Sequence, residues 1–146
     1  MNHRDYLIED SAQIAAIAES ARRVAVLGIK PETHRGQPAF YVPAYLAGVG
    51  IEIIPIPVYY PHVTEVLGFP VVRDLRSVRG RIDVVAVFRK SEDLEDHLDD
   101  LIALKPDTVW LQSGIRNDEF AESLARAGIQ VVQDRCLMVE HRHSQF

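Results

Sequence analysis

The fold is decided by Arg23-Val24-Ala25-Val26-Leu27-Gly28-Ile29-Lys30-Pro31, a short apolar run that stops at a glycine. A polar loop follows over 30–37, and a helical pattern then begins at Pro38, whose missing N–H costs nothing in a first turn. A buried strand that ends at a glycine and turns into a helix is how α/β proteins place phosphate-bearing ligands. The stretch therefore predicts a turn that receives a nucleotide.

Similar apolar runs recur along the chain and predict five strands, at 24–27, 51–56, 83–88, 108–111 and 129–132. Helical spacing of apolar residues around them predicts four helices, at 10–22, from Pro38 to Gly48 or Gly50, at 92–104 and at 118–127. Strands that alternate with helices in this way form right-handed βαβ units. The fold class expected is α/β, with a doubly wound, mostly parallel sheet of about five strands and helices on both faces.

Polar side chains mark where three of these helices begin. Asp10 or Ser11 is expected to cap the first helix, Ser91 the third and Asn117 the fourth. The segment 70–80 is expected to be irregular, with a short strand at 71–72. The tail from 136 to 146 is expected to hold a short strand or turn at 137–139.

Length and composition fit a single domain over 1–146, with mobile ends at 1–9 and 141–146. The formal net charge of −5 argues against a surface that coats nucleic acid. No apolar run is long enough to span a membrane, and the first residues lack the pattern of a signal peptide. The one cysteine, Cys136, excludes an internal disulfide framework. Together these features favour the cytoplasm.

The predicted strands are followed by basic residues although the chain as a whole is acidic. These residues are Lys30 and Arg35 after the first strand, Arg89 and Lys90 after the third, Arg116 after the fourth and Arg135 after the fifth. In a parallel sheet they gather at one edge, where they would attract an anion. The alternative is that they are ordinary solvated charges of surface loops.

The helix starts narrow the position of that anion, because every helix N-terminus attracts phosphate unless acids occupy it. Two of the predicted helices begin with acidic pairs, Glu92 with Asp93 and Asp118 with Glu119. The start at 37–40 carries no acid. By elimination, a diphosphate is expected near Gly28, Lys30 and Arg35.

A dinucleotide such as NAD is disfavoured at this turn. The Gly-x-Gly-x-x-Gly pattern is missing, because the next glycine after Gly28 is Gly36. The second strand ends in Pro55, Pro57 and Val58 and offers no acid to a ribose. No Gly-Lys-Ser/Thr motif of a P-loop follows either. A more highly charged ligand with a long neutral arm fits the basic, proline-rich rim better.

Five further blocks carry a resemblance to a known family. They are 24–28 (Val-Ala-Val-Leu-Gly), 41–46 (Tyr-Val-Pro-Ala-Tyr-Leu), 83–89 (Asp-Val-Val-Ala-Val-Phe-Arg), 110–115 (Trp-Leu-Gln-Ser-Gly-Ile) and 134–140 (Asp-Arg-Cys-Leu-Met-Val-Glu). Together they resemble the small stand-alone CoA-binding proteins, which are similar to the N-terminal domain of the succinyl-CoA synthetase alpha subunit. The resemblance covers about 10–140 and implies a Rossmann-like fold that binds coenzyme A at the strand ends.

The resemblance also implies which residues would contact the ligand. Carried over position by position, these are Gly28, Ile29 and Lys30 for the diphosphate, Ile56, Pro57 and Val58 for the adenosine, and Phe88, Arg89, Lys90, Ser113, Gly114 and Ile115 for the pantetheine arm. Cys136 falls where the synthetase domain has a cysteine. In place of the synthetase's Gly-x-Thr-Gly-x-x-Gly run the chain has 30–37, and it has no room for the domain with the phosphorylated histidine. Acyl-CoA synthesis by this chain alone is therefore not expected.

Several single residues have two interpretations. Cys136 forms a mixed disulfide with the CoA thiol, or it is a buried structural thiol. Asp93 and His97 share a helix face and could hold a metal, but a solvated acidic face is the simpler interpretation. His141 and His143 could also bind metal or belong to a mobile tail. The adjacent Tyr59 and Tyr60 either stack on adenine or pack within a loop. Trp110 is expected in the core.

The function expected is that of a CoA-binding protein without catalysis of its own, which takes coenzyme A or an acyl-CoA as its small-molecule ligand. No metal site, nucleic-acid partner or membrane partner is expected. Three alternatives stay open: an NAD(P)-dependent oxidoreductase, an in-trans component of an acyl-CoA ligase, and a CoA-sensing regulator that acts through a protein partner.

Overall fold

The structure, a computed structural model, describes residues 2–145 and contains a five-stranded parallel sheet. Its strands are β1 (Arg23–Leu27), β2 (Glu52–Ile56), β5 (Val84–Val87), β6 (Thr108–Leu111) and β7 (Gln130–Val132). They lie in the order β2-β1-β5-β6-β7. This is a doubly wound order in which the direction of winding reverses between β1 and β5. The predicted fold class is confirmed.

Five α-helices of the described residues cover the sheet: α1 (Ser11–Ser20), α2 (Pro38–Gly48), α3 (Leu98–Leu104), α4 (Asp118–Arg126) and α5 (Leu137–Ser144). Alternate residues of each strand point to opposite faces, so the core has two halves. Val24 and Val26 belong to the half that contains Ile14, while Ala25 and Leu27 belong to the half that contains Phe120. Helices α1, α2 and α5 cover the first face, and α3 and α4 cover the second.

Two of the predicted caps are confirmed and one is wrong. Asp10 accepts a hydrogen bond from the N–H of Gln13 at 3.0 Å, and Asn117 accepts one from the N–H of Phe120 at 3.1 Å. The third helix does not start after Ser91, because Ser91–His97 is a 3₁₀ helix and α3 begins only at Leu98. The tighter winding aligns residues three apart. It turns buried Leu94 inward, with half-buried Ser91 and His97 on the same side.

The strand predicted at 71–72 is also wrong. A small antiparallel hairpin lies just before it instead, formed by β3 (Glu65–Val66) and β4 (Phe69–Pro70). Leu67 and Gly68 connect the two strands with φ of 56° and 80°. Positive φ at both positions makes a two-residue hairpin loop. The sequence shows this feature only through Gly68, since leucine seldom adopts such a conformation.

The tail is helical where a strand or turn was predicted at 137–139. Leu137 and His141 lie one turn apart on α5, and both are buried. The phenolic oxygen of Tyr45 in α2 lies 2.7 Å from Nδ1 of His141. At the other end of the chain, the N–H of Ile8 donates to the carbonyl of Val131 at 2.9 Å.

The mobile ends predicted at 1–9 and 141–146 stay a prediction, and they include Met1 and Phe146, which lie outside the described residues. No helix within 2–145 is long and apolar enough to cross a bilayer. The cytoplasmic location expected from the sequence stays a prediction as well.

Candidate ligand site at the carboxyl ends of the strands

A cavity of about 690 Å³ lies beyond the carboxyl ends of β1, β5 and β6. Its walls come from the start of α2, the segment after β5, the segment after β6 and the residue before α5. The lining residues are Lys30, Gln37, Pro38, Ala39, Tyr41, Val42, Phe88, Arg89, Lys90, Ser91, Glu92, Gln112, Ser113, Gly114, Ile115 and Cys136. Open α/β sheets bind ligands in this crevice, where the winding direction reverses.

Gly28, directly after β1, lies very close to the backbone of Phe88, directly after β5. Its φ is 86°, and a Cβ atom at this position would lie 2.4 Å from the carbonyl oxygen of Phe88. Only glycine fits there, because both the backbone conformation and the close approach exclude a side chain. The N–H of Gly28 donates to the carbonyl of Ile56 at 2.8 Å, and the N–H of Lys30 donates to the carbonyl of Ala39 at 3.1 Å. The turn is therefore fixed by its own backbone, and these two N–H groups are already used.

The N-terminus of α2 places the partial positive charge of its helix dipole at the cavity wall. Gln37 precedes the helix without a side-chain cap, Pro38 begins it, and its first turn carries no acid. The acidic first turns at Ser91–His97 and in α4 are as the sequence predicted. The ammonium of Lys30 hydrogen-bonds the side-chain oxygen of Gln37, which places its charge beside the helix start. An anion at this wall meets both a helix dipole and a lysine.

Arg89 is held in place by three neighbours. Its side chain is only 12% exposed and lies 3.8 Å from the carboxylate of Asp93. Its Nε donates to Nε2 of His97 at 3.2 Å, and its guanidinium lies 5.7 Å from the centre of the Tyr59 ring. Burial, and next the charge of Arg89, lower the pKa of His97, against the opposing pull of nearby aspartates that include Asp93. A neutral imidazole can accept the hydrogen bond, so Arg89 keeps a fixed position at the cavity wall.

The segment after β6 is shaped by Asp134. The carboxylate of Asp134 accepts a hydrogen bond from the N–H of Gly114 at 2.6 Å. The backbone N–H of Asp134 donates to the carbonyl of Ile115 at 3.1 Å. Gly114 has a φ of 82°, which favours glycine. The predicted site residues Ser113, Gly114 and Ile115 thus form one wall of the cavity. Asp134 was not among the predicted site residues, although it begins the 134–140 block and lies two residues after the fifth strand.

Gln112 is a buried polar site residue that sequence reasoning missed. It follows the last residue of β6, lines the cavity and is 4% exposed. Its Oε1 accepts a hydrogen bond from the N–H of Leu137 at 3.1 Å, while its Nε2 has no partner among the described residues. Cys136 lies next to that contact, as the half-buried residue that precedes α5, and lines the same cavity. A polar residue directly after an apolar strand was the available signal.

The residues predicted for the adenosine lie outside the cavity lining. Ile56 and Pro57 are buried, whereas Val58 is exposed and Tyr59 is 64% exposed. Tyr60 packs against the 30–37 segment, with its hydroxyl 3.4 Å from Nε2 of His34. Of the two tyrosines, Tyr59 is thus the one with an open ring face.

Arg73 fixes the loop that carries these two tyrosines. Its guanidinium donates to the carbonyl oxygens of Tyr59, Tyr60 and Val63 at 2.6–3.0 Å. The exposed ring of Tyr59 is therefore presented by an anchored backbone.

The basic residues predicted at this edge of the sheet divide into two groups. Lys30, Arg89 and Lys90 line the cavity. Arg35 is exposed outside the cavity lining, with its guanidinium 5.3 Å from the centre of the Phe40 ring. Buried Ile29 does not reach the cavity either. Arg116 and Arg135 lie elsewhere.

Arg116 and Arg135 line a second cavity of about 580 Å³, beside α4 and the segment before α1. Each has an acidic partner, Asp118 for Arg116 at 3.1 Å and Glu140 for Arg135 at 3.2 Å. Three further acidic side chains line this second cavity, so its acidic groups outnumber its basic ones. Within residues 2–145, no group of three histidine, cysteine or acidic side chains is arranged to hold a metal ion.

Comparison with known proteins identifies the family. The family model described as a CoA binding domain matches residues 22–142. The chain belongs to the CoA binding domain family. A relative from Bacillus subtilis (strain 168), the protein YneT, is 32% identical over 130 residues, which cover 89% of this chain and 93% of that protein.

Solved structures of similar proteins extend this comparison. The Thermus thermophilus protein called cell-free ID.343 is 40% identical, with a TM-score of 0.83 over 93% of this chain and 99% of that one. A dinucleotide-forming acetyl-coenzyme A synthetase from Ca. Korarchaeum cryptofilum matches with a TM-score of 0.63 over 75% of this chain and 25% of that one. At 18% identity, the synthetase shows a shared fold alone. This fold thus occurs both in a chain of about this length and in part of a longer one.

Proposed function

We propose that this chain binds coenzyme A or an acyl-CoA at the carboxyl ends of its strands, without catalysis of its own. The observation that carries the proposal is the position of the cavity, which lies at the switch point of a chain in the CoA binding domain family. Coenzyme A combines a phosphate-rich nucleotide with a long neutral arm. The cavity offers one wall to the phosphates and another to the neutral arm.

The phosphates are proposed to lie at the wall formed by Lys30 and the start of α2. The N–H groups of Gly28 and Lys30 are used within the protein, so the positive charge comes from elsewhere. Lys30, Lys90 and the uncapped start of α2 supply it. Arg89 adds a third cation whose position Asp93 and His97 fix.

The adenosine is proposed to lie outside the cavity, against Val58 and Tyr59. These side chains offer exposed apolar surface, whereas Ile56 and Pro57 can contribute only backbone because they are buried. An aromatic face is a sequence-tolerant platform for a purine base. Arg89 links this platform to the phosphate wall, because its guanidinium faces the Tyr59 ring.

The pantetheine arm is proposed to run along Phe88 and the 113–115 segment, with its thiol end near Cys136. The sequence interpreted Cys136 as a partner of the CoA thiol in a mixed disulfide or as a structural thiol. Its place in the cavity lining supports the first interpretation. Intact mass under oxidising conditions checks it, since no CoA adduct, or an adduct that survives Cys136→Ser, contradicts the disulfide.

The absence of catalysis is proposed from the chemistry of the cavity wall. A hydroxyl or thiol nucleophile needs a hydrogen-bonded base to activate it. In the described part of the chain, Ser91, Ser113 and Cys136 line the cavity without a hydrogen bond to a histidine or carboxylate. The nearby His97 is engaged by Arg89.

Calorimetric titration with CoA, acetyl-CoA, NAD and NADP tests the proposal. We expect CoA or acetyl-CoA to bind and NAD to bind much more weakly, because β2 ends without an acid for the ribose. Tight NADP binding with none to CoA or acetyl-CoA would overturn the proposal in favour of an oxidoreductase.

A charge-removing variant tests the phosphate wall. Lys30→Gln is expected to weaken CoA binding by about tenfold, because it removes one charge-assisted contact. The matched control is Lys105→Gln. It removes the same charge from an exposed residue before β6, at the amino ends of the strands and away from the cavity. Equal affinities of the two variants would contradict the role of Lys30.

A further inference from the structure

The side-chain amide of Gln112 is buried, and its oxygen has a hydrogen-bond partner among the described residues whereas its nitrogen has none. Gln112 follows Leu111, the last residue of β6, and its side chain is 4% exposed while it lines the cavity. Buried polar atoms in native proteins almost always have a partner. Among the described residues, Nε2 of Gln112 is the buried side-chain nitrogen that has none.

The orientation of this amide is fixed by the start of α5. The N–H of Leu137 lies 3.1 Å from Oε1 of Gln112. A backbone N–H can only donate, so the oxygen of the amide must face Leu137 and the NH₂ group must face away. The unpaired group is therefore a donor, and its identity does not depend on an arbitrary choice of amide flip.

The cavity that Gln112 lines has more apolar than polar surface, and Phe88, Ile115 and Cys136 are among its apolar lining residues. In such a place a hydrogen bond is stronger than in water, and an unmade one is costly. A ligand with an acceptor oxygen gains this bond, whereas a ligand without one leaves the donor buried and unpaired. Sites built in this way discriminate strongly between the two kinds of ligand.

We propose that Gln112 is a specificity-determining donor, whose Nε2 hydrogen-bonds a carbonyl oxygen on the arm of the bound ligand. The inference rests on the proposed function, because CoA is the ligand whose arm carries such carbonyls. Two sources share this chemistry: the amide carbonyls within the pantetheine arm, and the thioester carbonyl of an acyl-CoA. The first is present in every form of the ligand, and the second only in acylated forms.

Gln112→Met tests the inference, because methionine has nearly the same length and volume but no donor. We expect its affinity to fall by about tenfold to a hundredfold, measured by calorimetric titration with CoA and acetyl-CoA. The matched control is Gln130→Met at the start of β7, where the glutamine oxygen accepts from the hydroxyl of Thr108 at 2.9 Å. This control loses a partly buried hydrogen bond near the amino ends of the strands and should keep the wild-type affinities.

A second variant covers a failure of Gln112→Met to fold. Gln112→Glu keeps an oxygen for the N–H of Leu137 and replaces the NH₂ group with a second oxygen. We expect a loss of affinity at least as large as that of Gln112→Met, because this substitution also adds a negative charge to the site of an anionic ligand. Thermal unfolding of each variant without ligand verifies that it is folded.

The outcomes separate the two sources and the two proposals. A loss for acetyl-CoA alone assigns the bond to the thioester, and an equal loss for both ligands assigns it to the arm. Unchanged affinities of the Gln112 variants, or an equal loss in Gln130→Met, would overturn the inference alone. Failure of the wild-type chain to bind either ligand would overturn the proposed function and this inference with it.

Discussion

Gly28 is the residue on which the geometry of the crevice depends. Replacement by alanine combines a strained φ of 86° with a Cβ atom 2.4 Å from the carbonyl oxygen of Phe88. Neither problem can be relieved by a side-chain rotation, because the obstacle is backbone. We expect Gly28→Ala to lower the free energy of unfolding by more than about 2 kcal/mol, measured by urea denaturation.

Gly50 provides the control for this variant. Its φ of 92° is similar, but an added Cβ would meet no atom within 4 Å. Gly50→Ala should therefore show only the cost of the backbone conformation, about 1–2 kcal/mol. If Gly28→Ala is no more destabilising than Gly50→Ala, the close approach of β1 and β5 does not constrain the turn.

Single residues also show where sequence-based prediction stops. The role of Gly28 as the end of the first strand follows from a local pattern and was predicted. The burial of Gln112 depends on a contact with Leu137, which is distant in sequence and belongs to an element predicted as a strand or turn. A local pattern cannot show which polar residue will be left half-satisfied, because packing of distant segments decides it.

Helix α5 contains a buried histidine, His141, that makes the free energy of unfolding depend on pH. Burial, and next the charge of Arg22, lower the pKa of His141, against a smaller opposing effect of Glu19. The folded state therefore binds fewer protons than the unfolded state, whose imidazole titrates near pH 6.5. The contribution of this group to stability is complete above that pH and is lost as the pH falls towards the lowered pKa of the folded state.

We expect His141→Gln to flatten the decline of unfolding free energy between about pH 7 and pH 5, because glutamine does not titrate. Urea denaturation across this interval measures the slope. His143→Gln serves as the control, since it removes an exposed imidazole from the same helix and should keep the wild-type slope. An unchanged slope in His141→Gln would show that protonation of His141 does not cause the decline in unfolding free energy.

The elements that sequence analysis missed have a common physical cause. α5 and the 3₁₀ segment Ser91–His97 are short, and their few buried residues give too weak a periodicity to distinguish a helix from a turn. The β3–β4 hairpin depends on a positive φ at Leu67, which the identity of the residue does not favour. The apolar strands of the main sheet, by contrast, were predicted within one residue of their observed ends, because they are almost entirely buried.

The whole molecule gathers its candidate site from segments far apart in the chain. Residues at 30, 88, 112 and 136 meet at one edge of the sheet because every strand of the main sheet points the same way. Parallel pairing was predictable from the alternation of strands and helices. The order of the strands was not, because strands that are apolar on both faces do not specify their neighbours.

A ligand that spans these segments should stabilise the whole fold. At a CoA concentration of 100 times its dissociation constant, the free energy of unfolding should rise by about 2.7 kcal/mol. At equal concentration, the adenosine bisphosphate half and the pantetheine half should each raise the melting temperature much less than intact CoA, because each occupies only one wall. A thermal-shift series measures this. If one half alone reproduces the effect of CoA, the ligand does not extend across both walls.

The contact of Ile8 with β7 has a consequence for how copies of the chain meet. An uncovered edge strand offers free N–H and carbonyl groups to a second sheet and promotes aggregation. At the β7 edge, the bridge between Leu7 and Val131 already occupies part of that hydrogen-bonding capacity. At the opposite edge, β2 contains Pro55, which has no N–H to donate, and its carbonyl accepts from Val72 at 2.9 Å. Both margins of the sheet are thus blunted against strand addition, which leaves its helical and loop surfaces for any self-association.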